Sequence, residues 1–219
     1  MVKIERSFPA PESLAIESQK ASGSYEKKDV VDRLKEDFYN KCYICEIDNL
    51  QDPEVEHLLP HKNGRYPERK FDWNNLFWSC GHCNKVKMQA KYDEGIIDCC
   101  KTDPEKVLSF CLANGEIQVK AIDVKNMQAV LTAGLITEVF TIENTAMRVY
   151  KSDMRFQELN REMNKLYDSL EEFSENPDSK VALRKLQALL RRKSRFAAFK
   201  RNYIRDHLRK YPELVKYIV

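Results

Sequence analysis

The sequence has no uninterrupted apolar run that could cross a bilayer, for which about 18 residues are needed. Residues 1–14 alternate charged residues, proline and apolar residues, and they contain no apolar stretch of the kind found in export signals. These absences predict a cytoplasmic protein without a membrane contact. The 219 residues, of which 42% are hydrophobic and 32% charged, are enough to bury the core of one domain or of two small ones.

The cysteines do not indicate a disulfide framework, because there are seven of them, an odd number, in a chain without an export signal. Four form two Cys-x-x-Cys pairs, Cys42/Cys45 and Cys80/Cys83, with 34 residues between the pairs. Each pair can form a knuckle, and two knuckles can place four sulfurs around one tetrahedral zinc ion. We predict such an ion, structural rather than catalytic because four thiolates leave no open coordination position.

Other interpretations of the cysteines are also open. A redox function would need only one Cys-x-x-Cys pair in a thioredoxin-like setting, and the four cysteines could also be buried independently of one another. The remaining three are interpreted as buried small side chains: Cys99, Cys100 and Cys111.

The chain shows no internal repeat and no low-complexity segment, so hydrophobic periodicity and turn residues indicate its organisation. Residues 1–24 are predicted to be an extended arm, because prolines interrupt them and Ser22-Gly23-Ser24 ends them as a loop. Residues 25–125 are predicted to form a zinc-supported domain, and residues 126–219 a helical region with a basic tail. Helices are predicted over residues 25–39, 127–140, 145–173 and 179–209, and strands over residues 107–113 and 116–122 with an Asn114-Gly115 turn between them.

Polar motifs lie between and beside the two cysteine pairs. They are Glu56-His57 with Pro60-His61, Asn74-Asn75-Leu76, and Cys83-Asn84-Lys85. With the cysteine pairs around them, these motifs resemble those of the HNH, or ββα-metal, nucleases, in which a hairpin and a helix clasp one divalent cation. The resemblance implies an α+β, helix-rich fold with a zinc-knuckle ββα-metal core and a mainly helical C-terminal half.

The resemblance also assigns roles to individual residues. Glu56 and Asn84 would be ligands of the catalytic ion, His57 the general base, and Asn75 the residue that braces the loop. Asn84 stands where the family often has its last histidine, a variant that the family also uses, because an amide oxygen can still bind a hard cation. Three further residues are assigned to the substrate: His61, which also competes with His57 as the base, Lys85 and Lys87.

These residue types suit hydrolysis of a phosphodiester bond. A neutral imidazole can take the proton of the attacking water, and a Mg²⁺ or Mn²⁺ ion held by carboxylate and amide oxygens can offset the developing negative charge. Thiolates are too soft to hold that ion. Simpler interpretations are a surface ion pair for Glu56 and His57, helix caps for Asn75 and Asn84, and a solvated helix face for the two lysines.

The resemblance is closer still to one subgroup of these nucleases. Its marks are Met1-Val2-Lys3-Ile4-Glu5-Arg6, Pro11-Glu12-Ser13-Leu14, and Tyr66-Pro67 followed by Asp72-Trp73-Asn74-Asn75-Leu76. They are similar to the HNH subunits of Septu-type and retron-associated anti-phage systems over residues 1–120. This likeness implies an effector that is held in check by an ABC-type ATPase partner, within a retron complex where one is present. The chain has no Gly-rich nucleotide-binding loop of its own.

Positive charge is concentrated at the end of the sequence. Residues 178–219 contain 13 Lys and Arg against three Asp and Glu, whereas the rest of the chain has 24 against 31. This basic tail fits either a solvated helix face or a surface for phosphates or a protein partner.

We therefore predict a metal-dependent HNH endonuclease acting on nucleic acid, DNA or RNA. One alternative is a non-catalytic zinc module that only binds nucleic acid or protein, which would not need Glu56, His57 and Asn84 together. Another is a restriction-type nuclease that acts alone, although the sequence shows no helix-turn-helix or finger array to read bases.

Overall fold

The computed structural model describes residues 1–218 and has an α+β fold dominated by helices, as predicted. Within these residues, seven α-helices accompany two separate two-stranded antiparallel sheets. In chain order the elements are α1 (Glu12–Ser18), α2 (Lys28–Asp37), β1 (Pro53–His57), β2 (Leu76–Cys80), α3 (Gly81–Lys87), β3 (Leu108–Ala113), β4 (Glu116–Ala121), α4 (Met127–Thr141), α5 (Ala146–Glu175), α6 (Lys180–Leu190) and α7 (Ala197–Asp206). None of the helices in this part of the chain is both long and apolar enough to pass through a bilayer.

The first sheet and the helix that follows it form one unit. Strands β1 and β2 pair in antiparallel register along their five residues, beginning with Pro53 opposite Cys80. Helix α3 starts at the next residue, Gly81, and lies so close to β1 that a Cβ atom there would be 2.7 Å from Oε1 of Glu54. Glycine permits this close approach, and side chains of β1 and α3 therefore lie beside one another.

The second sheet is the predicted hairpin. Asn114 and Gly115 have φ angles of 54° and 76°, the left-handed values that a two-residue Asn-Gly turn requires. Helix α4 packs on β4, and helix α7 packs on β3. The hairpin therefore joins the middle of the chain to its C-terminal helices.

The first 24 residues differ from the predicted extended arm. Residues 12–18 form helix α1, and Pro11 directly precedes it, where the missing N–H costs the helix no hydrogen bond. Met1, Val2 and Ile4 are buried, and the N–H of Ile4 donates to the carbonyl of Cys99 over 3.0 Å. One cluster of buried hydrophobic side chains draws on all three predicted segments, residues 1–24, 25–125 and 126–218.

Three of the predicted helices agree with the structure. Residues 25–39 contain α2, residues 127–140 correspond to α4, and residues 145–173 correspond to α5. Thr145 caps α5, since its side chain accepts a hydrogen bond from the N–H of Arg148.

The single helix predicted over residues 179–209 is wrong, because residues 191–196 separate α6 from α7. Beyond the end of α6, the hydroxyl of Ser194 donates to the carbonyl of Leu189 over 2.6 Å. Phe196 adopts a φ angle of 47° and is fully buried, with its ring centroid 6.4 Å from that of Phe140. Burial of this aromatic ring offsets the cost of interrupting the helix.

Candidate functional site

The two cysteine pairs meet in one place. The Sγ atoms of Cys42, Cys45, Cys80 and Cys83 all lie within 4.8 Å of one another, and all four residues are buried. Zinc–sulfur bonds of about 2.3 Å in a tetrahedron place sulfurs about 3.8 Å apart, so the cluster is close to the size that the ion requires. The predicted four-cysteine group is therefore present and could hold a metal ion such as zinc. Of the three remaining cysteines, which were predicted to be buried, Cys99 is buried, Cys100 is only partly buried and Cys111 is exposed on β3.

A basic side chain from the C-terminal half reaches the cysteine cluster. Arg155 of α5 is buried, and its Nη2 donates to Sγ of Cys80 over 3.0 Å. Hydrogen bonds from Cys42 and the other cysteines, together with the charge of Arg155, hold the pKa of Cys80 well below its usual range. Burial instead raises the pKa of Cys45 and Cys83. The guanidinium thus supplies positive charge beside the cysteine cluster.

His82, between the cysteines of the second pair, is buried. It lies in α3 with a side chain that is 2% exposed, and its Nε2 is 2.9 Å from the carbonyl oxygen of Val139 in α4. A carbonyl only accepts, so Nε2 carries the proton and donates. The contact holds α3 against α4.

A cleft of about 290 Å³ lies beside the β1–β2–α3 unit. Five of the predicted site residues line it, together with Tyr25: Glu56, His57, His61, Asn84 and Lys87. Lys85 is exposed on α3 and does not line the cleft.

A larger groove of about 430 Å³ lies between the turn of the second hairpin, the end of α4 and the start of α5. Its charged lining residues are all acidic: Glu116, Glu143 and Asp153. Without a cation or an imidazole it suits neither phosphate binding nor proton transfer, so the smaller cleft is the candidate site.

His57 is held in the cleft in a defined protonation state. Its Nε2 is 3.0 Å from the carbonyl oxygen of Lys70, so Nε2 carries the proton and Nδ1 is left as the acceptor. The ring of Tyr25 packs edge-on against the imidazole, with 4.5 Å between the ring centroids. Burial lowers the pKa of His57 to about 4, which leaves the imidazole neutral at pH 7 and able to accept a proton.

His61 lies next to His57, with 4.8 Å between the ring centroids. Its Nδ1 is buried without a hydrogen-bond partner among residues 1–218. It therefore stays a second candidate for proton transfer in this cleft.

Asn75 positions the loop that follows β1. Its Oδ1 accepts from the N–H of Leu59 over 2.8 Å, and its Nδ2 donates to the carbonyls of Leu59 and Arg69 over 2.9 and 3.0 Å. The first two contacts hold the segment that leads to His61, and the third holds the residue before Lys70, whose carbonyl binds His57. Asn75 is buried and does not line the cleft, so it acts through the backbone and is a positioning residue.

Both oxygens of Glu56 are engaged inside the protein. Oε2 accepts from the hydroxyl of Tyr43 over 2.5 Å, and Oε1 forms an ion pair of 2.5 Å with Nζ of Lys87. Nζ of Lys87 also donates to the carbonyl of His57 over 3.0 Å. Burial raises the pKa of Glu56, an effect that Lys87 and Tyr43 oppose. Lys87, predicted to contact substrate phosphates, is therefore buried and paired with a carboxylate.

The two expected ligands of a divalent cation are of the chemical type that such an ion prefers. Glu56 offers a carboxylate and Asn84 an amide oxygen, the donors that Mg²⁺ prefers, and both line the same cleft. The side-chain nitrogen of Asn84 donates to the carboxylate of Glu54, which leaves its amide oxygen for other partners. An ion bound to Oε1 of Glu56 would have to compete with Lys87.

Three residues of this site were not predicted. Glu54 had a detectable signal, because it lies two residues before Glu56 on a strand and therefore on the same face. Tyr43 and Tyr25 had none, since Tyr43 contacts Glu56, and Tyr25 contacts His57, only through the tertiary fold.

No protein-family model matches this chain, and no curated protein does. The resemblance to HNH nucleases therefore stays a prediction.

Much of the basic tail is neutralised within the fold. Glu105 pairs with Arg201 and Arg205, each over 2.8 Å, and Asp103 pairs with Arg192 over 2.9 Å. Three more of these cations pair with carboxylates from outside the basic tail: Lys185 with Glu172, Arg195 with Asp48 and Glu158, and Lys200 with Glu162. The other seven are exposed and form no ion pair within residues 1–218: Lys180, Arg184, Arg191, Lys193, Arg209, Lys210 and Lys216.

Proposed function

We propose that this chain is an HNH-type endonuclease that hydrolyses phosphodiester bonds of nucleic acid with one divalent ion, Mg²⁺ or Mn²⁺. The observation that carries the proposal is the position of His57, a neutral imidazole held by the Lys70 carbonyl in the same cleft as Glu56 and Asn84. A neutral base beside carboxylate and amide oxygens suits metal-assisted hydrolysis. The β1–β2–α3 unit beside the four cysteines supports the ββα-metal core that the resemblance implies.

In this proposal His57 activates the attacking water. Its Nδ1 takes the proton, while the Lys70 carbonyl keeps Nε2 protonated and the ring in place. Asn75 fixes the backbone on either side of this contact, through Leu59 and Arg69.

Glu56 and Asn84 would hold the divalent ion, and the four cysteines would hold zinc. When bound, the divalent ion offsets negative charge on the phosphate and on the leaving oxygen. The hard oxygen donors and the soft sulfur donors keep the two metals apart, because each set prefers a different ion.

The likeness to Septu-type and retron-associated HNH subunits supports a place for the chain in an anti-phage system, beside an ABC-type ATPase. The ATPase would bind nucleotide, and this chain would supply the cleavage. Purification of the chain from its source should then recover an ABC-type ATPase, and adding that ATPase should change the cleavage rate. Equal rates with and without it would contradict this part of the proposal.

One observation favours a second candidate, a zinc-containing module that binds nucleic acid or protein without cleaving it. Lys87 and Tyr43 already engage both oxygens of Glu56. On that view the ion pair only fastens α3 to β1, and the cleft does no chemistry.

A cleavage assay separates the two candidates. Supercoiled plasmid, single-stranded DNA and tRNA are each incubated with the protein and Mg²⁺, Mn²⁺ or EDTA, with and without the ATPase. The nuclease should cut at least one substrate in a metal-dependent way, and His57→Ala should slow cutting by about 10²–10⁴-fold because it removes the base. His207→Ala is the matched control, since this histidine lies after α7 and outside the cleft.

Variants of the neighbouring residues refine the assignment. His61→Ala should slow cutting much less than His57→Ala, whereas the reverse order would make His61 the base. Glu56→Ala and Asn84→Ala should regain part of their activity at high Mg²⁺ or Mn²⁺, because the defect is in metal affinity. Failure of the wild-type protein to cut any substrate under all conditions would leave the binding module as the function.

A further inference from the structure

A lysine ammonium occupies the cation position next to Glu56. Nζ of Lys87 lies 2.5 Å from Oε1 of Glu56 and 3.0 Å from the carbonyl oxygen of His57. The two charged side chains are 6% and 3% exposed, so solvent hardly screens the pair. Lys87 also lies one helical turn after Asn84, on the same face of α3.

We propose that Lys87 is a built-in competitor for the divalent ion: it neutralises Glu56 while the metal is absent, and metal binding releases its ammonium into the cleft. This inference rests on the proposed function, because it concerns the ion that the nuclease would use. The observation behind it is that the Lys87 ammonium already pairs with Oε1 of Glu56, the buried oxygen that the divalent ion would also need.

The other contacts of Glu56 make the exchange local. Oε2 stays on the hydroxyl of Tyr43, so the carboxylate keeps its position while Oε1 changes its partner. The lysine side chain is flexible, and its nitrogen can move within a cleft that it already lines. Once released, the ammonium lies beside His57, where it can bind a phosphate oxygen of the substrate as a point charge.

The exchange has a measurable cost. Metal binding must first break a buried, charge-assisted interaction, so the wild-type protein binds the ion more weakly than Glu56 and Asn84 alone would allow. Removing the competing charge should tighten metal binding, because Oε1 of Glu56 is then free to bind the ion. A lysine that only fastens α3 to β1 predicts the opposite, because its removal would loosen the position of Asn84.

The test measures the affinity of the full chain for Mn²⁺. Electron paramagnetic resonance detects the free ion, and the protein is loaded with zinc and kept at slightly alkaline pH. Lys87→Met should bind Mn²⁺ about tenfold more tightly than wild type, the factor expected when a competing interaction worth about 1.4 kcal/mol is removed. Lys85→Met is the matched control, since Lys85 is on the same helix but exposed, and it should bind like wild type. Lys87→Arg keeps the competing charge and should bind no more tightly than wild type. Melting temperatures with and without Mn²⁺ check that each variant folds, and Lys87→Gln replaces Lys87→Met if the latter does not.

The outcomes separate this inference from the nuclease proposal. Unchanged or weaker Mn²⁺ binding by Lys87→Met, with a wild type that binds Mn²⁺ and cuts nucleic acid, overturns the inference and leaves the nuclease. Tighter binding by Lys87→Met, with a wild type that cuts nothing, upholds the competition and overturns the nuclease. If neither the wild type nor any variant binds Mn²⁺, the inference is overturned. If the wild type also cuts no nucleic acid, the nuclease proposal is overturned as well.

Discussion

Arg155 donates a hydrogen bond from Nη2 to Sγ of Cys80 over 3.0 Å, although the two residues are 75 positions apart in the chain. Four thiolates around one Zn²⁺ leave a net charge of −2, which is costly in a buried place without a counter-charge. The guanidinium of Arg155 supplies part of that counter-charge and ties α5 to the cysteine cluster. The C-terminal half is therefore part of the environment of the metal group.

Replacing Arg155 with Met should destabilise the cysteine cluster. We expect a decrease of about 1.5–3 kcal/mol in stability, the usual worth of a hydrogen bond to a charged group, and faster release of zinc to a chelator. Denaturant unfolding and a colorimetric zinc assay measure the two effects. Arg161→Met on the same helix is the control. Arg161 is exposed and pairs with Glu158, so loss of its side chain should lower the stability by at most about 1 kcal/mol. Equal zinc release by the two variants would contradict the role given to Arg155.

The four-cysteine cluster should hold one zinc ion per chain, and Cys80→Ser should release it. Because binding of a structural zinc is coupled to folding, this variant should also unfold at lower denaturant concentration or fail to fold. Elemental analysis and circular dichroism are the measurements. Cys111→Ser is the control, since Cys111 is exposed on β3 and should keep both the zinc and the fold. Folded wild-type protein without zinc would refute the assignment.

The bracing role of Asn75 can be tested against its neighbour Asn74, which has the same side chain but is exposed. Asn75→Ala leaves partly buried backbone groups of Leu59 and Arg69 without a partner, so we expect a decrease of about 1–3 kcal/mol in stability. Asn74→Ala removes only one exposed hydrogen bond, from its side-chain nitrogen to Asp72, and should change stability by about 0.5 kcal/mol or less. Asn75→Asp should not rescue the loop, because its second oxygen would face two carbonyls that need a donor. Thermal unfolding of the three variants tests this, and a stable Asn75→Asp protein would argue against the bracing role.

Some cations of the basic tail should contribute to stability and others should not, depending on whether they are buried in ion pairs or exposed. Arg201→Met breaks a buried pair with Glu105, in which the side chains are 3% and 1% exposed, and should cost about 3–5 kcal/mol in stability. Arg191→Gln with Lys193→Gln should leave stability unchanged, because both residues are exposed.

If the exposed cations bind phosphates, the double variant should bind nucleic acid more weakly. The slope of the logarithm of affinity against the logarithm of salt concentration should then fall by about one unit for each phosphate that the variant no longer neutralises. Filter binding at several salt concentrations gives this slope. An unchanged slope would assign the exposed cations to solvent or to a protein partner.

The parts of this molecule that could be predicted from the sequence depend on short-range rules. Cys42/Cys45 and Cys80/Cys83 have the spacing of two zinc knuckles, and Asn114-Gly115 specifies its turn through backbone sterics. Thr145 likewise marks the start of α5 with its own side chain.

The errors have a common physical cause, which is competition from groups distant in the chain. Phe196 interrupts a helix that its neighbours favour, because the ring is buried near Phe140. Lys87 has the local setting of a surface cation, yet Glu56, 31 residues earlier on a neighbouring strand, draws it inward. Neither outcome can be read from periodicity, since both depend on which elements the fold places side by side.

Glu46, next to Cys45 in the first knuckle, completes its hydrogen bonds only through a distant part of the chain. Its buried carboxylate pairs with Lys41 over 3.0 Å, and it accepts from the first amides of α7, those of Ala197 and Ala198, over 3.0 and 3.1 Å. A ribosome adds about 5–20 residues per second, so roughly 8–30 seconds pass between the synthesis of Glu46 and that of α7. During that interval the carboxylate lacks two of its partners, and the knuckle beside it is exposed to competing thiols and metals. The nascent chain therefore reaches its final stability only after α7 has left the exit tunnel.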